Sequence, residues 1–98
     1  MSDSGNPPAT PTVFIDNPRT RVTEWRFQPD AATGWHRHEY DYVVVPLMDG
    51  RLRIVGPGGA ENVAELEAGI PYFREVGVEH DVINASGHEF AFMEVEFK

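Results

Sequence analysis

Three of the four histidines in this chain are spaced so that they could bind one metal ion. His36 and His38 are two residues apart, so on a β-strand their imidazole rings point to the same face of the sheet. His80 lies in a separate segment, after the glycine turn at Gly77, and a second strand could bring it to that face. Imidazole binds several divalent transition metals, and it does not by itself select among iron, zinc, nickel, copper and manganese. The pattern predicts a metal centre formed by these three histidines.

The composition limits the other kinds of site and partner. The chain of 98 residues has no cysteine, which excludes disulfide bonds and thiolate–metal sites. Its formal net charge of −8 argues against nucleic acids and anionic membranes, because both need a basic surface patch. No apolar run is long enough to cross a bilayer, and the N-terminus lacks a signal-peptide pattern. We therefore expect one cytoplasmic domain that binds a small molecule, with no nucleic-acid or membrane partner.

The hydrophobic pattern predicts short β-strands joined by turns. Apolar and polar residues alternate over 22–27 and 51–55, and the Asp49-Gly50 pair before the second segment favours a hairpin. A long strand is predicted over 35–45, and it would carry the paired histidines. No segment has a helical repeat longer than about one turn. About eight or nine short strands in a domain of this size are typical of an all-β sandwich or barrel.

The N-terminal segment differs in composition from the rest of the chain. Residues 1–12 are mainly small and polar residues with proline, which bury little apolar surface, so we predict a disordered or loosely ordered arm before a folded domain over 13–98. The apolar run over 13–15 is predicted to form a short edge strand. A domain this small has a modest core and often gains stability by pairing with a copy of itself. We therefore expect a homodimer, with residues 13–15 at the contact.

The spacing of histidines and glycines resembles the two motifs of the cupin family. The first motif has a glycine, five residues, His-x-His, a glutamate three or four residues later, and a closing glycine. The second has a glycine, five residues, Pro-x-Gly, a histidine three positions after that glycine, and an asparagine four positions after the histidine. The matching residues are His36, His38 and Gly50 in the first motif and Gly69, Gly77, His80 and Asn84 in the second, while Asp30 and Glu75 replace the opening glycine and the proline.

The resemblance implies a single cupin domain, a jelly-roll β-barrel over roughly residues 20–97, with a metal held by the three histidines. It also implies an enzyme, because cupins include dioxygenases, isomerases and decarboxylases, and short bacterial cupins labelled as β-alanine degradation proteins suggest small amino or keto acids. Three neutral imidazoles leave the charge of a divalent ion uncompensated, which favours a small carboxylate or enolisable ligand. The alternative is a cupin that binds metal or ligand without turnover, as a sensor, storage protein or accessory subunit. A third interpretation is a barrel that has lost its metal.

The glutamate ligand of the family is missing. Alternate residues from His36 share one face of a continuous strand, which places Tyr42 at the glutamate position, whereas Val43, on the longer motif spacing, would point the other way unless a bulge intervenes. Its phenol could be a weak ligand or a proton donor, but an aromatic wall with the hydroxyl hydrogen-bonded at the pocket rim is favoured, because a phenol of pKa about 10 is a poor anionic ligand. Glu94 could replace the lost carboxylate, yet we expect it to face solvent, because acids are seldom buried unpaired. Asn84 is expected to fix a strand end through hydrogen bonds.

Overall fold

The computed structural model describes residues 5–98, and this part of the chain consists of β-strands, loops and one 3-10 turn. None of its segments is a helix long and apolar enough to span a membrane. The strands are β1 (Thr10–Asp16), β2 (Thr20–Phe27), β3 (His36–Arg37), β4 (Asp41–Pro46), β5 (Gly50–Val55), β6 (Glu61–Leu66), β7 (Tyr72–Arg74), β8 (Glu79–Asn84) and β9 (Phe90–Phe97), with the 3-10 turn at Pro57–Gly59.

The strands form two antiparallel sheets that enclose the core. One sheet has five strands in the order β1-β2-β9-β4-β7, and the other has four in the order β3-β8-β5-β6. The predicted all-β jelly roll is confirmed. The sheets are not joined into a closed barrel, because β1 and β7 remain edges of one sheet and β3 and β6 remain edges of the other.

Aromatic side chains fill one end of the space between the sheets. The ring of Phe27 packs against Phe90 and Phe92, with ring centroids 6.5 and 5.5 Å apart, and Leu52 covers them from the opposite sheet. Gly50, which closes the first motif, has a physical reason to be glycine: a Cβ atom there would lie 2.3 Å from Cδ1 of Phe90.

Asp30 takes the backbone conformation that the motif's opening glycine would have provided. Its φ angle is 66°, in the left-handed region where glycine is favoured and where aspartate is among the more tolerated alternatives. The departure from the family motif therefore preserves the turn that precedes the histidines.

The inner face of the five-stranded sheet becomes polar at its other end. The register places Arg21 opposite Glu96, Glu96 opposite Tyr42, and Tyr42 opposite Arg74, so these four residues form one row across four strands. Glu96 is buried and accepts two hydrogen bonds from Arg21, Nε to Oε1 at 2.6 Å and Nη2 to Oε2 at 3.1 Å. A polar end of this kind is where a ligand site can be built without disturbing the aromatic core.

The predicted long strand over 35–45 is wrong, because the chain bends after Arg37. The segments before and after the bend, β3 and β4, belong to different sheets. The bend is held by the loop before β8: the amide of His38 donates to the carbonyl of Val78, and the amide of Gly77 donates to the carbonyl of His38, both at 2.9 Å. His36 therefore lies in the small sheet with His38 directly after it, whereas Tyr42 lies in the large sheet.

The predicted arm over 1–12 needs correction in the part that the structure describes. β1 begins at Thr10, and the buried Ala9 donates a backbone hydrogen bond to the carbonyl of Ala32 at 2.8 Å. Pairing with β2 satisfies the backbone of a segment that is poor in apolar residues, and composition does not reveal that. Residues 1–4 lie outside the described residues. The edge-strand prediction for residues 13–15 is confirmed, since β1 is the outermost strand of its sheet.

Candidate metal centre

The structure brings the three predicted histidine ligands together between the sheets. His36 in β3 is directly opposite His80 in β8, and His38 follows immediately after β3. The Nε2 atom of His38 lies 3.0 Å from Nε2 of His36 and 3.1 Å from Nε2 of His80. Three nitrogen atoms from two chain segments therefore converge on one point.

This convergence fits a shared metal ion. The Nδ1 atom of His36 lies 2.9 Å from the carbonyl oxygen of Gly34, so Nδ1 carries the proton and Nε2 presents its lone pair to the other two rings. Two nitrogens that each lie about 2.0–2.1 Å from one ion, at a bond angle near 90°, are roughly 3 Å apart. The observed spacing is therefore that of neighbouring ligands of one ion.

Two of the imidazoles are held in the neutral form that binds metals. Burial, together with the nearby His36, lowers the pKa of His38 to about 4. Burial lowers the pKa of His80 to about 3, with further contributions from His36, His38 and the guanidinium of Arg74. Because metal binding requires a deprotonated nitrogen, both rings are ready to bind at neutral pH.

Tyr42, predicted from the sequence to stand where the motif has its glutamate, packs flat against His38. The ring centroids are 3.9 Å apart and the planes are inclined by 20°. The hydroxyl is buried and has no hydrogen-bond partner among the described residues, so the rim hydrogen bond expected from the sequence is not found there. Burial, with a smaller contribution from Glu94, raises the pKa of Tyr42 above its usual value of 10. A neutral ring in this position is an aromatic wall for the imidazole.

The prediction that Glu94 faces solvent is wrong. Its side chain is buried, Oε1 accepts a hydrogen bond from Nε1 of Trp25 at 3.3 Å, and Oε2 lies 3.7 Å from Nδ1 of His38. The two ring nitrogens of His38 point in opposite directions, so Glu94 lies behind the ring, away from the converging Nε2 atoms. Burial, followed by the neighbouring carboxylate of Glu96, raises the pKa of Glu94 to about 7. Glu94 therefore lies close to His38 but on the side away from the three converging nitrogens, so it does not replace the glutamate of the family motif.

A second group of possible ligand atoms consists of His38, Glu94 and Glu96. Its carboxylates are already engaged, Glu96 with Arg21 and Glu94 with Trp25. The histidine group, by contrast, has Nε2 atoms that face one another with no carboxylate between them, and it is the better metal site.

Asn84 has the structural role expected from the sequence and lies away from the histidines. Its Nδ2 donates to the carbonyl oxygens of Phe27, Gln28 and His88 at 3.3, 3.2 and 2.7 Å, and its Oδ1 accepts from the amide of Ser86 at 2.9 Å. These bonds fasten the end of β8 to the neighbouring loops.

A cavity of about 590 Å³ opens beside the three histidines, and all three rings line it. Apart from histidine, Arg74 is the one basic residue among the lining residues, and it was not identified from the sequence. Its place depends on the register of β4 and β7, which puts it opposite Tyr42. Trp25 also lines the cavity, and its alternation with Thr23 and Phe27 is the sequence signal that it faces inward.

Comparison with known proteins finds relatives over nearly the whole chain. No protein-family model matches it. Over 95 residues it is 59% identical to the beta-alanine degradation protein BauB of Pseudomonas aeruginosa, covering 97% of this chain and 99% of that protein. A cupin domain of known structure from Bordetella pertussis Tohama I is 54% identical, with a TM-score of 0.91 and coverage of 95% and 96%. The polyketide cyclase RemF from Streptomyces resistomycificus is 26% identical, with a TM-score of 0.71, over 95% of this chain and 69% of that one.

Proposed function

The chain belongs to the cupin family. We propose that it binds a divalent transition metal through His36, His38 and His80 and that it is an enzyme that uses this metal to act on small metabolites. The observation that carries the proposal is the convergence of three Nε2 atoms beside a cavity of about 590 Å³. Structural metal sites are closed by protein ligands, whereas catalytic sites keep a position open for water or substrate. Three histidines that face a cavity leave such a position open, as in a catalytic metal site.

The proposed ligand is a small carboxylate or an enolisable metabolite, and the proposed reaction is dioxygenase-like or isomerase-like. Three neutral imidazoles do not compensate the charge of a divalent ion, which favours an anionic partner. The relative from Pseudomonas aeruginosa is named for β-alanine degradation, and small amino or keto acids would fit easily in the cavity.

When bound, the metal would supply a Lewis acid that polarises an oxygen atom of the substrate. The chain's own part is to hold the donors rigidly. The carbonyl of Gly34 fixes the ring of His36. Tyr42 covers one face of His38, and Glu94 approaches that ring from behind. Rings that are held in this way lose little conformational freedom when they bind a metal ion. Residues that orient metal ligands typically raise the metal affinity.

Metal analysis tests the proposal. Protein purified without added metal is expected to contain about one equivalent of a transition metal, and His80→Ala is expected to lose it, because two imidazoles from one segment remain. His88→Ala is the matched control, because His88 is exposed and outside the cluster. Less than about a tenth of an equivalent in the wild type, with no loss of stability in chelator, would contradict the proposal.

A further inference from the structure

We propose that Arg74 binds the carboxylate of the ligand, so that the ligand enters with its carboxylate on the guanidinium and its reactive end toward the histidines. Arg74 lies at the end of β7, directly opposite Tyr42, and its side chain lines the same cavity as His36, His38 and His80. This inference rests on the proposed function, because the end of the ligand that points to the histidines reacts only if they hold a metal.

The guanidinium of Arg74 is left without a carboxylate in a chain that is rich in them. The sequence has 16 acidic residues against 8 arginines and lysines, and six of those eight form ion pairs within the described residues. The other two are Arg19 and Arg74, and Arg74 alone lines the cavity. Arg74 is exposed at the wall of the cavity, which Glu79 and Glu94 also line, and an unpaired guanidinium there attracts an anion.

Local contacts hold the side chain of Arg74 in place while leaving donors for a ligand. Its Cζ lies 4.6 Å from the centre of the Tyr72 ring, and Nη1 donates to the carbonyl of Phe73 at 3.1 Å. A guanidinium has five N–H donors, so most of them remain for a ligand. Two parallel N–H groups of a guanidinium can bind the two oxygens of a carboxylate at once. A phenol or an amide has one oxygen and cannot bind in this way.

Arg74 and the three histidines line one cavity from different segments of the chain. His36 and His80 come from the paired strands β3 and β8, and Arg74 comes from β7, where it lies opposite Tyr42. A ligand with a carboxylate at one end and a second polar group at the other could contact both the guanidinium and the histidines.

The orientation distinguishes two ways in which a carboxylate could bind. A carboxylate held by the metal would not depend on Arg74, whereas a carboxylate held by the guanidinium would. Propanoate is a suitable probe, and propanamide is its uncharged counterpart of similar shape. Arg74→Met keeps much of the apolar stem and removes the charge, and Arg19→Met is the matched control, because Arg19 is also exposed and without an ion pair.

The experiment is a titration of the protein as purified with propanoate and with propanamide, followed by NMR, with the metal content of every sample measured. We expect Arg74→Met to weaken propanoate binding about tenfold or more, and to leave propanamide binding and metal content unchanged, while Arg19→Met matches the wild type. Equal propanoate affinity in wild type and Arg74→Met, or no propanoate binding to the wild type, would overturn the proposal. Because metal content is read separately, a protein that binds propanoate through Arg74 but contains no metal would contradict the proposed function alone.

Discussion

The imidazole of His38 and the phenol of Tyr42 are stacked face to face, with centroids 3.9 Å apart, although His38 follows a strand of the small sheet and Tyr42 lies in a strand of the large one. A neutral phenol offers no charge to a metal, and its ring fixes the plane of the His38 imidazole.

Tyr42→Phe is expected to retain the metal and to be as stable as the wild type or more stable by about 1 kcal/mol, because the hydroxyl that it removes is buried without a partner among the described residues. Metal content and urea unfolding measure the two effects. A loss of metal would show that the phenol oxygen is a ligand. A loss of more than about 1 kcal/mol would show that the hydroxyl has a stabilising partner.

Glu94→Gln is expected to lower metal affinity about tenfold, because it removes the negative charge behind His38 while keeping an acceptor for Trp25. Competition with a chelator of known affinity measures the change. Glu67→Gln, at an exposed acid outside the site, is the matched control and should behave as the wild type. Equal affinity in Glu94→Gln and the wild type would show that Glu94 does not act on the centre.

The metal-free protein should lose stability as the pH falls from 6.5 to 4.5. Unfolded, His38 and His80 bind protons below about pH 6.5, whereas folded they do so only below about 4 and about 3, so two extra protons favour the unfolded chain. Glu94 acts in the opposite sense, because its folded pKa of about 7 exceeds its unfolded value of 4.5 and one extra proton favours the folded chain. Between pH 6.5 and 4.5 the unfolded chain therefore binds a net 2 − 1 = 1 proton more than the folded chain, so the free energy of unfolding falls as the pH falls.

Urea unfolding at a series of pH values measures this slope, and His80→Ala should remove one of the two destabilising protons and flatten it. A stability that rises steadily as the pH falls from 6.5 to 4.5 would contradict the assignment of neutral, buried histidines.

We propose that a second copy of the chain covers the outer edge of β1. Val13, Phe14 and Ile15 are 54%, 60% and 47% exposed, and β1 pairs with β2 alone among the described strands. Phe14→Asp should convert a dimer of about twice 11.0 kDa to a monomer in analytical ultracentrifugation. Val63→Asp, at an equally exposed apolar residue on β6, is the control and should leave the dimer intact. A wild-type protein that sediments as a monomer would contradict this proposal.

The sequence predicted an all-β domain and the histidine group because both follow from local periodicity and spacing, and the resemblance to the cupin motifs added the jelly roll. It also predicted that Tyr42 shares a face with His38. That prediction assumed one continuous strand over 35–45, in which alternate residues point the same way, and this strand does not form. The chain bends between the two residues, and the contact is made across the two sheets.

The buried side of β9 could not be chosen from the sequence. Phe90 and Phe92 share a face with two glutamates, whereas all four residues of the opposite face are apolar, so hydrophobicity alone favours the wrong side. The choice depends on partners from distant strands, Trp25 for Glu94 and Arg21 for Glu96. Arg74 escaped prediction for the same reason, since its place in the cavity is set by the register of two strands and not by its neighbours in the chain.

The most direct test of the metal centre is a crystal structure of the protein as purified, with diffraction data collected on both sides of the absorption edge of the metal found by elemental analysis. We expect one anomalous peak about 2.0–2.3 Å from the Nε2 atoms of His36, His38 and His80, facing the cavity. Histidine rings that hydrogen-bond to one another with no peak between them, or a peak bound elsewhere on the chain, would contradict it.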